Sequence, residues 1–478
     1  MKSATKIAVL VAAILSISAS AQVSSFSHIV VIVQENRTPD NLFQGLCIPP
    51  YGSSSACGTG AGQYDIQSFG FDNKGNQISL NEVPLGNAFD PGHAHAAFER
   101  MCHLNPSTNQ CGMNGLRSAG CPDSCSFEFV QPTDVHPYLT LAQQFGWANN
   151  MFQSNQGPSA PAHQFLFGGT SAPSADDDAN AIFVAENPGG KGCLAPLDAV
   201  YKLISPQTEP NEYELVNDPL GTVCFSRPTM ATLLDAQGLN WKYYSPGENS
   251  IWTAPNWIQE ICGPDANYTQ CQGTEWKQHV DLNPQHLLTK DLPNCTLPAV
   301  SWVIPIGQNS DHPSADGTHT GGPSWVASII NAIGESSCTD TINGTPVAYW
   351  QDTAIVVTWD DWGGFYDHRQ PTFLTAPNQG WGDYQLGFRV PLLVVSAYTP
   401  QMIDNTNQYD FGSILRLIEL NFGITEGSLG FADERSQTDL AGFFNFRRRA
   451  RIFRHIDAPL DLKFFMNDKR PMEPPDTD

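Results

Sequence analysis

Two runs along the chain are apolar at nearly every position and rich in β-branched residues: HIVVIVQ (28–34) and AIVVTW (354–359). A strand with one wet face alternates apolar and polar side chains, whereas a strand covered on both faces does not. Both runs therefore predict strands of a parallel sheet buried between two layers. PAVSWVIP (298–305) and VPLLVVSAY (390–398) read the same way, and SWVASIINAI (324–333) reads as a helix between them. Strands alternating with helices predict an α/β fold, a mostly parallel central sheet flanked by helices. Segments 46–92, 103–135 and 172–222 are rich in Gly, Pro, Ser and Asn and too long for simple connections. They read as long excursions from one domain spanning 22–445. A basic and then Pro/Asp-rich tail, 446–478, follows, and its arginines 447–449, 451 and 454 are expected to be solvated.

Polar residues directly follow the two strongest runs: Glu35–Asn36 after the first, Asp360–Asp361 after the second. In open α/β sheets, ligands bind beyond the carboxyl ends of the strands. Acidic and amide oxygens released there by two strands suggest a site for a hard divalent cation. For either pair alone, the end of a strand explains the polarity equally well.

Composition narrows the setting. Residues 1–21 have the shape of a secretory leader: Lys2 and Lys6, a short apolar run, then Ala19-Ser20-Ala21. All 12 cysteines lie after it, an even number that permits six disulfides in a secreted or periplasmic protein. Cys102, Cys111, Cys121 and Cys125 lack the paired short gaps of a zinc knot and read as staples tying the excursions. A net charge of −24 argues against nucleic-acid partners and against docking on anionic membrane, and no stable membrane span is evident.

The third element is Ser159 in QSNQGPSAPAHQFLFGGTSA, where Gly157-Pro158 imposes a turn and the residues through Phe167 can start a helix. By itself, such a serine is more simply a helix cap than a nucleophile. No G-x-S-x-G elbow is present to support an ordinary serine esterase.

Taken in order, HIVVIVQENRTPDNLFQG, FDPGHAHAAFERM, GPSAPAHQFLFGGTS, LPAVSWVIP with Asp311-His312-Pro313, TAIVVTWDDWGGFYDH and GFRVPLLVVSAYTP resemble the bacterial and fungal phosphoesterase family. That family includes secreted acid phosphatases and phosphatidylcholine-type phospholipases C and is related to the alkaline phosphatase superfamily. The resemblance covers about residues 27–425. It implies one divalent metal ion held by Glu35, Asn36, Asp360, Asp361 and the nucleophile Ser159, with His93 and His312 near the phosphate. All-oxygen ligands favour Ca²⁺, Mg²⁺ or Mn²⁺, with zinc as the alternative. His95 is a second candidate for the place of His93, and His368, in the shared FYDH ending, reads as a supporting residue. Many members carry Thr as nucleophile followed by Asn-Arg. Here Ala162-His163 stands in that place, so His163 is the candidate to replace the arginine contact to substrate.

The resemblance implies a phosphoserine mechanism on a small-molecule phosphoester or a phospholipid. A compact acid-phosphatase-like monoesterase is the first expectation, and a phospholipase C acting on diesters the alternative. A sulfatase needs Arg where His163 stands. A calcium-stabilised binding protein would rest on Asp176-Asp177-Asp178, where Ala181 replaces the turn glycine of a cation-binding loop.

Overall fold

The run HIVVIVQ forms β1 (His28–Gln34), buried at all seven positions. In the computed structural model, residues 25–475 are described except 88, 106, 109, 116–124, 187–191, 196–198, 206–212, 217–223, 376–382, 426 and 437. The leader expected over 1–21 lies outside the described residues. The other strands of the main sheet are β2 (Gly146–Ala148), β3 (Trp241–Tyr244), β4 (Val280–Asp281), β5 (Val300–Val303), β6 (Thr353–Trp359), β7 (Leu392–Val395) and β8 (Met402–Asp404). Their spatial order is β4-β3-β5-β1-β6-β7-β2-β8. Only β7 runs against its neighbours, and every other pairing is parallel. The expected α/β class and mostly parallel sheet are both present.

Among the described residues, five helices have eight residues or more: α1 (His95–Cys102), α2 (His136–Gln144), α3 (Ser159–Gly168), α4 (Gly322–Gly334) and α5 (Phe411–Phe422). On α4, Trp325, Ile329, Ile330 and Ile333 are buried, as the apolar run required. All ten residues of α3 are buried, so this helix is clamped on every side. Such a helix is a rigid mount for whatever its first turn carries.

The β1–β6 register is the feature that builds the site. His28 lies opposite Thr353, and the pairing continues without a bulge to Gln34 opposite Trp359. Glu35–Asn36 and Asp360–Asp361 therefore leave the sheet side by side. The chain then turns sharply after each strand. Asn36 is held at φ +58° and Gly363 at +61°, a region that costs a residue with a Cβ. A Cβ on Gly363 would lie 2.3 Å from the Asn36 carbonyl oxygen. Trp362, Tyr366 and Phe388 anchor this turn in a separate apolar cluster with Phe98 and Met101 of α1.

The excursions are stapled locally. Cys47–Cys57, Cys102–Cys111, Cys193–Cys224, Cys262–Cys271 and Cys295–Cys338 are bonded. Cys125 is also in a disulfide, and Cys121 lies outside the described residues. The acidic triplet 176–178 sits in a short helix, Ala175–Ala179, capped by Ser174, which is not a cation-binding loop.

The expectation of a solvated tail after residue 445 needs correction. The arginines at 447–449 and 454 are exposed, but Arg451 lies over the Phe145 ring and donates to the carbonyls of Gln144 and Thr399. Ile456 and Phe465 are fully buried, and Ile456 exchanges two hydrogen bonds with the Asn331 side chain of α4. The charged residues of this segment dominate its composition, which is why composition missed this packing.

Substituting Gly363→Ala is expected to lower stability by roughly 1–3 kcal/mol and to cut turnover, because the Asn36 turn must shift. Urea unfolding and an activity assay on the same preparation check both.

Candidate active site

The strand ends bring four of the expected residues together, all fully buried: Glu35, Asn36, Asp360 and Asp361. The Asn36 backbone N–H donates to Asp360 Oδ1 at 3.0 Å, and the Asp361 N–H to the same oxygen at 2.7 Å. Gly363 N–H holds Asp361 Oδ1 at 2.7 Å. Each aspartate thus has one oxygen fixed by backbone, leaving Asp360 Oδ2 and Asp361 Oδ2 for other work.

Ser159 is the first residue of α3, following Pro158 in an extended conformation. Its loop is tied by Gln153, whose Nε2 donates to the carbonyls of Asn155 and Gly157, and by Asn155 Nδ2, which donates to Gly157 and Pro158. The Ser159 hydroxyl lies 3.2 Å from Asp361 Oδ2 and 3.4 Å from Asn36 Oδ1. The helix start places its positive end where a phosphoryl group on Ser159 would sit.

His93 Nδ1 donates to the Pro91 carbonyl at 2.9 Å, so Nε2 is the acceptor for Asn36 Nδ2 at 3.1 Å. That bond turns Asn36 Oδ1 toward Ser159. His312 follows the β5 end, and its ring lies 6.2 Å from that of His93. Gln34 ties its loop to β1 by donating to the Asn309 carbonyl and accepting from Asp311 N–H. Asp311 Oδ2 accepts from the Tyr138 hydroxyl and the Trp359 indole, both at 2.9 Å.

The weaker candidates separate. His95 opens α1 and donates through Nδ1 to the Gln156 carbonyl at 2.8 Å, steadying the Ser159 loop without reaching the carboxylates. His368 lies in a different cluster, between Asp40 Oδ2 at 2.8 Å and Asp65 Oδ1 at 3.1 Å. Arg389, fully buried, pairs there with Asp367 and Asp40. His163, expected to meet substrate, instead points into the carboxylates. Its Nε2 is 3.3 Å from Glu35 Oε1 and 3.7 Å from Asp360 Oδ2.

Sequence reading missed two residues here. The Trp252 indole N–H donates to Glu35 Oε2, and the Tyr243 hydroxyl donates to the Trp252 carbonyl at 2.7 Å. Trp252 comes from a loop 217 residues from Glu35, with no local pattern to betray the contact.

The electrostatics are those of a site short of positive charge. Burial, reinforced by Asp360, holds Glu35 well above the usual carboxylate range. Burial and Asp360 push Asp361 up to about 8, against the pull of His93 and His312. Burial lowers His163 to about 4, which Asp360 only partly offsets. Among the described residues, no lysine or arginine pairs with these carboxylates. Glu35 Oε1, Asp360 Oδ2 and His163 Nε2 are buried without hydrogen-bond partners, and the donor set Glu35, His163, Asp360 can hold a metal ion. The residues present fit such an ion.

The family model described as "Phosphoesterase family" matches residues 26–425. Phospholipase C B of Mycobacterium tuberculosis is 24% identical over 88% of this chain and 78% of its own length. The hemolytic phospholipase C of Pseudomonas aeruginosa is 22% identical over 89% of this chain, which spans only 56% of that protein. Among solved structures, an alkaline phosphatase superfamily protein from Vibrio parahaemolyticus aligns over 60% of each chain, with 14% identity and a TM-score of 0.31.

In the Asp40–Asp65–His368 cluster, burial alone would lower the His368 pKa, but Asp40 and Asp65 outweigh it and raise it to about 9. A histidine raised in the folded state contributes stability that is fully present below its unfolded value of 6.5 and lost as pH rises through 9. The melting temperature of wild type is therefore expected to fall between pH 6.5 and 9 more steeply than that of His368→Gln. Thermal melts across that window measure the difference.

Proposed function

The chain belongs to the phosphoesterase family, and from that premise we propose a phospholipase C-type enzyme that cleaves a phospholipid phosphodiester through a phosphoserine at Ser159. That it is a hydrolase of phosphoric ester bonds follows from the family and from phospholipase C relatives aligned over 88–89% of this chain. The observation that carries the site assignment is the Ser159 hydroxyl, set between Asn36 Oδ1 and Asp361 Oδ2 beside partnerless buried ligand atoms.

When bound, a divalent ion supplies neutralisation of the phosphoryl oxygens and a lowered hydroxyl pKa. Ser159 Oγ forms the new P–O bond in line with the leaving oxygen, and its proton passes to Asp361 Oδ2, to which it is hydrogen-bonded. The bond from phosphorus to the diacylglycerol oxygen breaks, and His312 gives that oxygen a proton. In the second half, water attacks the phosphoserine, His312 takes the water proton, and Ser159 recovers its own from Asp361. His93 acts as a positioning residue, since both its ring nitrogens are engaged in orienting Asn36. The start of α3 stabilises the phosphorylated state.

Export to an oxidising compartment is supported by the disulfides. Among the described residues, no helix is long and apolar enough to cross a membrane.

Hydrolysis of p-nitrophenylphosphorylcholine beside p-nitrophenyl phosphate tests the substrate class. Faster diester turnover is expected, and a monoester preference would return the protein to the acid-phosphatase reading. Ser159→Ala is expected to trap no phosphate on the chain after a radiolabelled substrate and acid quench. Label on another residue would move the nucleophile. Glu35→Gln and Asp360→Asn are each expected to lower kcat at least a thousandfold with a near-UV spectrum like that of wild type.

A further inference from the structure

We propose that His163 is itself a metal ligand through Nε2, making the site a mixed nitrogen–oxygen one that prefers a borderline transition ion such as Fe²⁺ or Zn²⁺ over Ca²⁺ or Mg²⁺. The inference rests on the metal-dependent reading above and extends it by naming a ligand and a class of ion.

The hydrogen bonds set the tautomer. Tyr243 spends its hydroxyl proton on the Trp252 carbonyl, so toward His163 Nδ1, 3.3 Å away, its oxygen can only accept. The proton of a neutral His163 therefore sits on Nδ1, and Nε2 presents a lone pair. That lone pair faces Glu35 Oε1 and Asp360 Oδ2, both fully buried, and none of the three atoms has a hydrogen-bond partner. A single proton can satisfy only one contact among these three lone pairs, whereas a cation lying among them would satisfy all three.

The distances discriminate between a proton and a metal. A charge-assisted N–H···O bond closes to about 2.7–2.9 Å, shorter than either 3.3 or 3.7 Å. Two ligands about 2.1 Å from one ion lie ~3.0–3.6 Å apart for angles between about 90° and 120°. The support around the ligands has the same form. Trp252 holds Glu35 through its indole and His163 through Tyr243, as outer partners of metal ligands do.

The helix supplies the reason for this arrangement. Ser159 and His163 are four residues apart on α3, one above the other on the same face. An ion bound to His163 is thereby fixed in height relative to the nucleophile by the helix itself. Imidazole nitrogen suits Fe²⁺ and Zn²⁺, whereas Ca²⁺, Mg²⁺ and Mn²⁺ favour oxygen, so Mn²⁺ serves here only as a spectroscopic probe of the same site. The contrast with Asp40, Asp367 and His368 is direct. There Arg389 pairs with both carboxylates, so a side chain supplies the positive charge that the Glu35 cluster lacks.

The test uses full-length protein stripped with chelator and reloaded with Mn²⁺, read by pulsed electron paramagnetic resonance for ¹⁴N coupling, with Zn²⁺ and Ca²⁺ affinities from calorimetry. The expected result is a ¹⁴N coupling in wild type that survives His93→Gln/His312→Gln and is lost in His163→Gln. Zn²⁺ affinity is expected to fall at least tenfold in His163→Gln, with Ca²⁺ affinity changed less than threefold. Should His163→Gln fail to fold, a His93→Gln/His312→Gln protein that also carries His279→Gln and His368→Gln decides, since these remove the histidines of the other candidate donor sets: a coupling there leaves His163 as its source and a lost coupling overturns the proposal. Bound Mn²⁺ without ¹⁴N coupling, or coupling that persists in His163→Gln, overturns the role of His163 alone. A wild-type protein that binds neither Mn²⁺ nor Zn²⁺ overturns the metal-dependent reading and this proposal with it.

Discussion

Parallel pairing of β1 with β6 in unbroken register is the constraint on which the rest depends. Side chains alternate along a strand, so a slip of one residue would turn every buried side chain to the other face. Both strands are buried at all seven positions, yet register still matters because of the polar pairs at their carboxyl ends. Gln34 opposite Trp359 makes Asn36 N–H and Asp360 Oδ1 hydrogen-bond partners. From that bond the positions of Asp361, the Gly363 turn and the Ser159 hydroxyl follow. The long apolar runs thus do two jobs: they build the core, and they deliver polar groups to one edge at a defined spacing.

Two buried acidic clusters lie near that edge and resolve their repulsion in opposite ways. Asp40, Asp65 and Asp367 are met by Arg389, Arg369 and a protonated His368. Breaking such a compensated cluster is costly. Glu35, Asp360 and Asp361 have no lysine or arginine paired with them among the described residues, although an uncompensated buried charge costs several kcal/mol. A fold retains that cost only where something else supplies the charge. The sequence TWDDWGGFYDH carries one cluster at each end, and the counter-charges distinguish the two ends.

Much of this was legible in the residues. Long β-branched runs predicted β1, β5, β6 and β7, and the polar residues after β1 and β6 marked the edge. The short strands β2, β3, β4 and β8, two to four residues each, leave no pattern and are set by sheet neighbours. Ser159 and His163 were visible as a pair at helical spacing, but which way that face turns depends on packing that clamps α3 from all sides. Trp252 and Tyr243 were silent because a hydrogen bond across 217 residues has no signature in either segment. The burial of Ile456 and Phe465 escaped notice for a similar reason: both belong to a segment whose charged residues dominate its composition.

Asn36 and Asp360 are 324 residues apart, and no shorter stretch of chain holds two of the site's strand-end pairs together. Closing so long a loop pays little until the sheet itself exists. The proposed ligand set is therefore a property of the folded state alone, and unfolded chain offers an ion only scattered carboxylates. An ion that binds one state and not the other shifts the balance by mass action. The metal content of the surroundings then becomes a term in how much of the protein is folded, as well as in how fast it works.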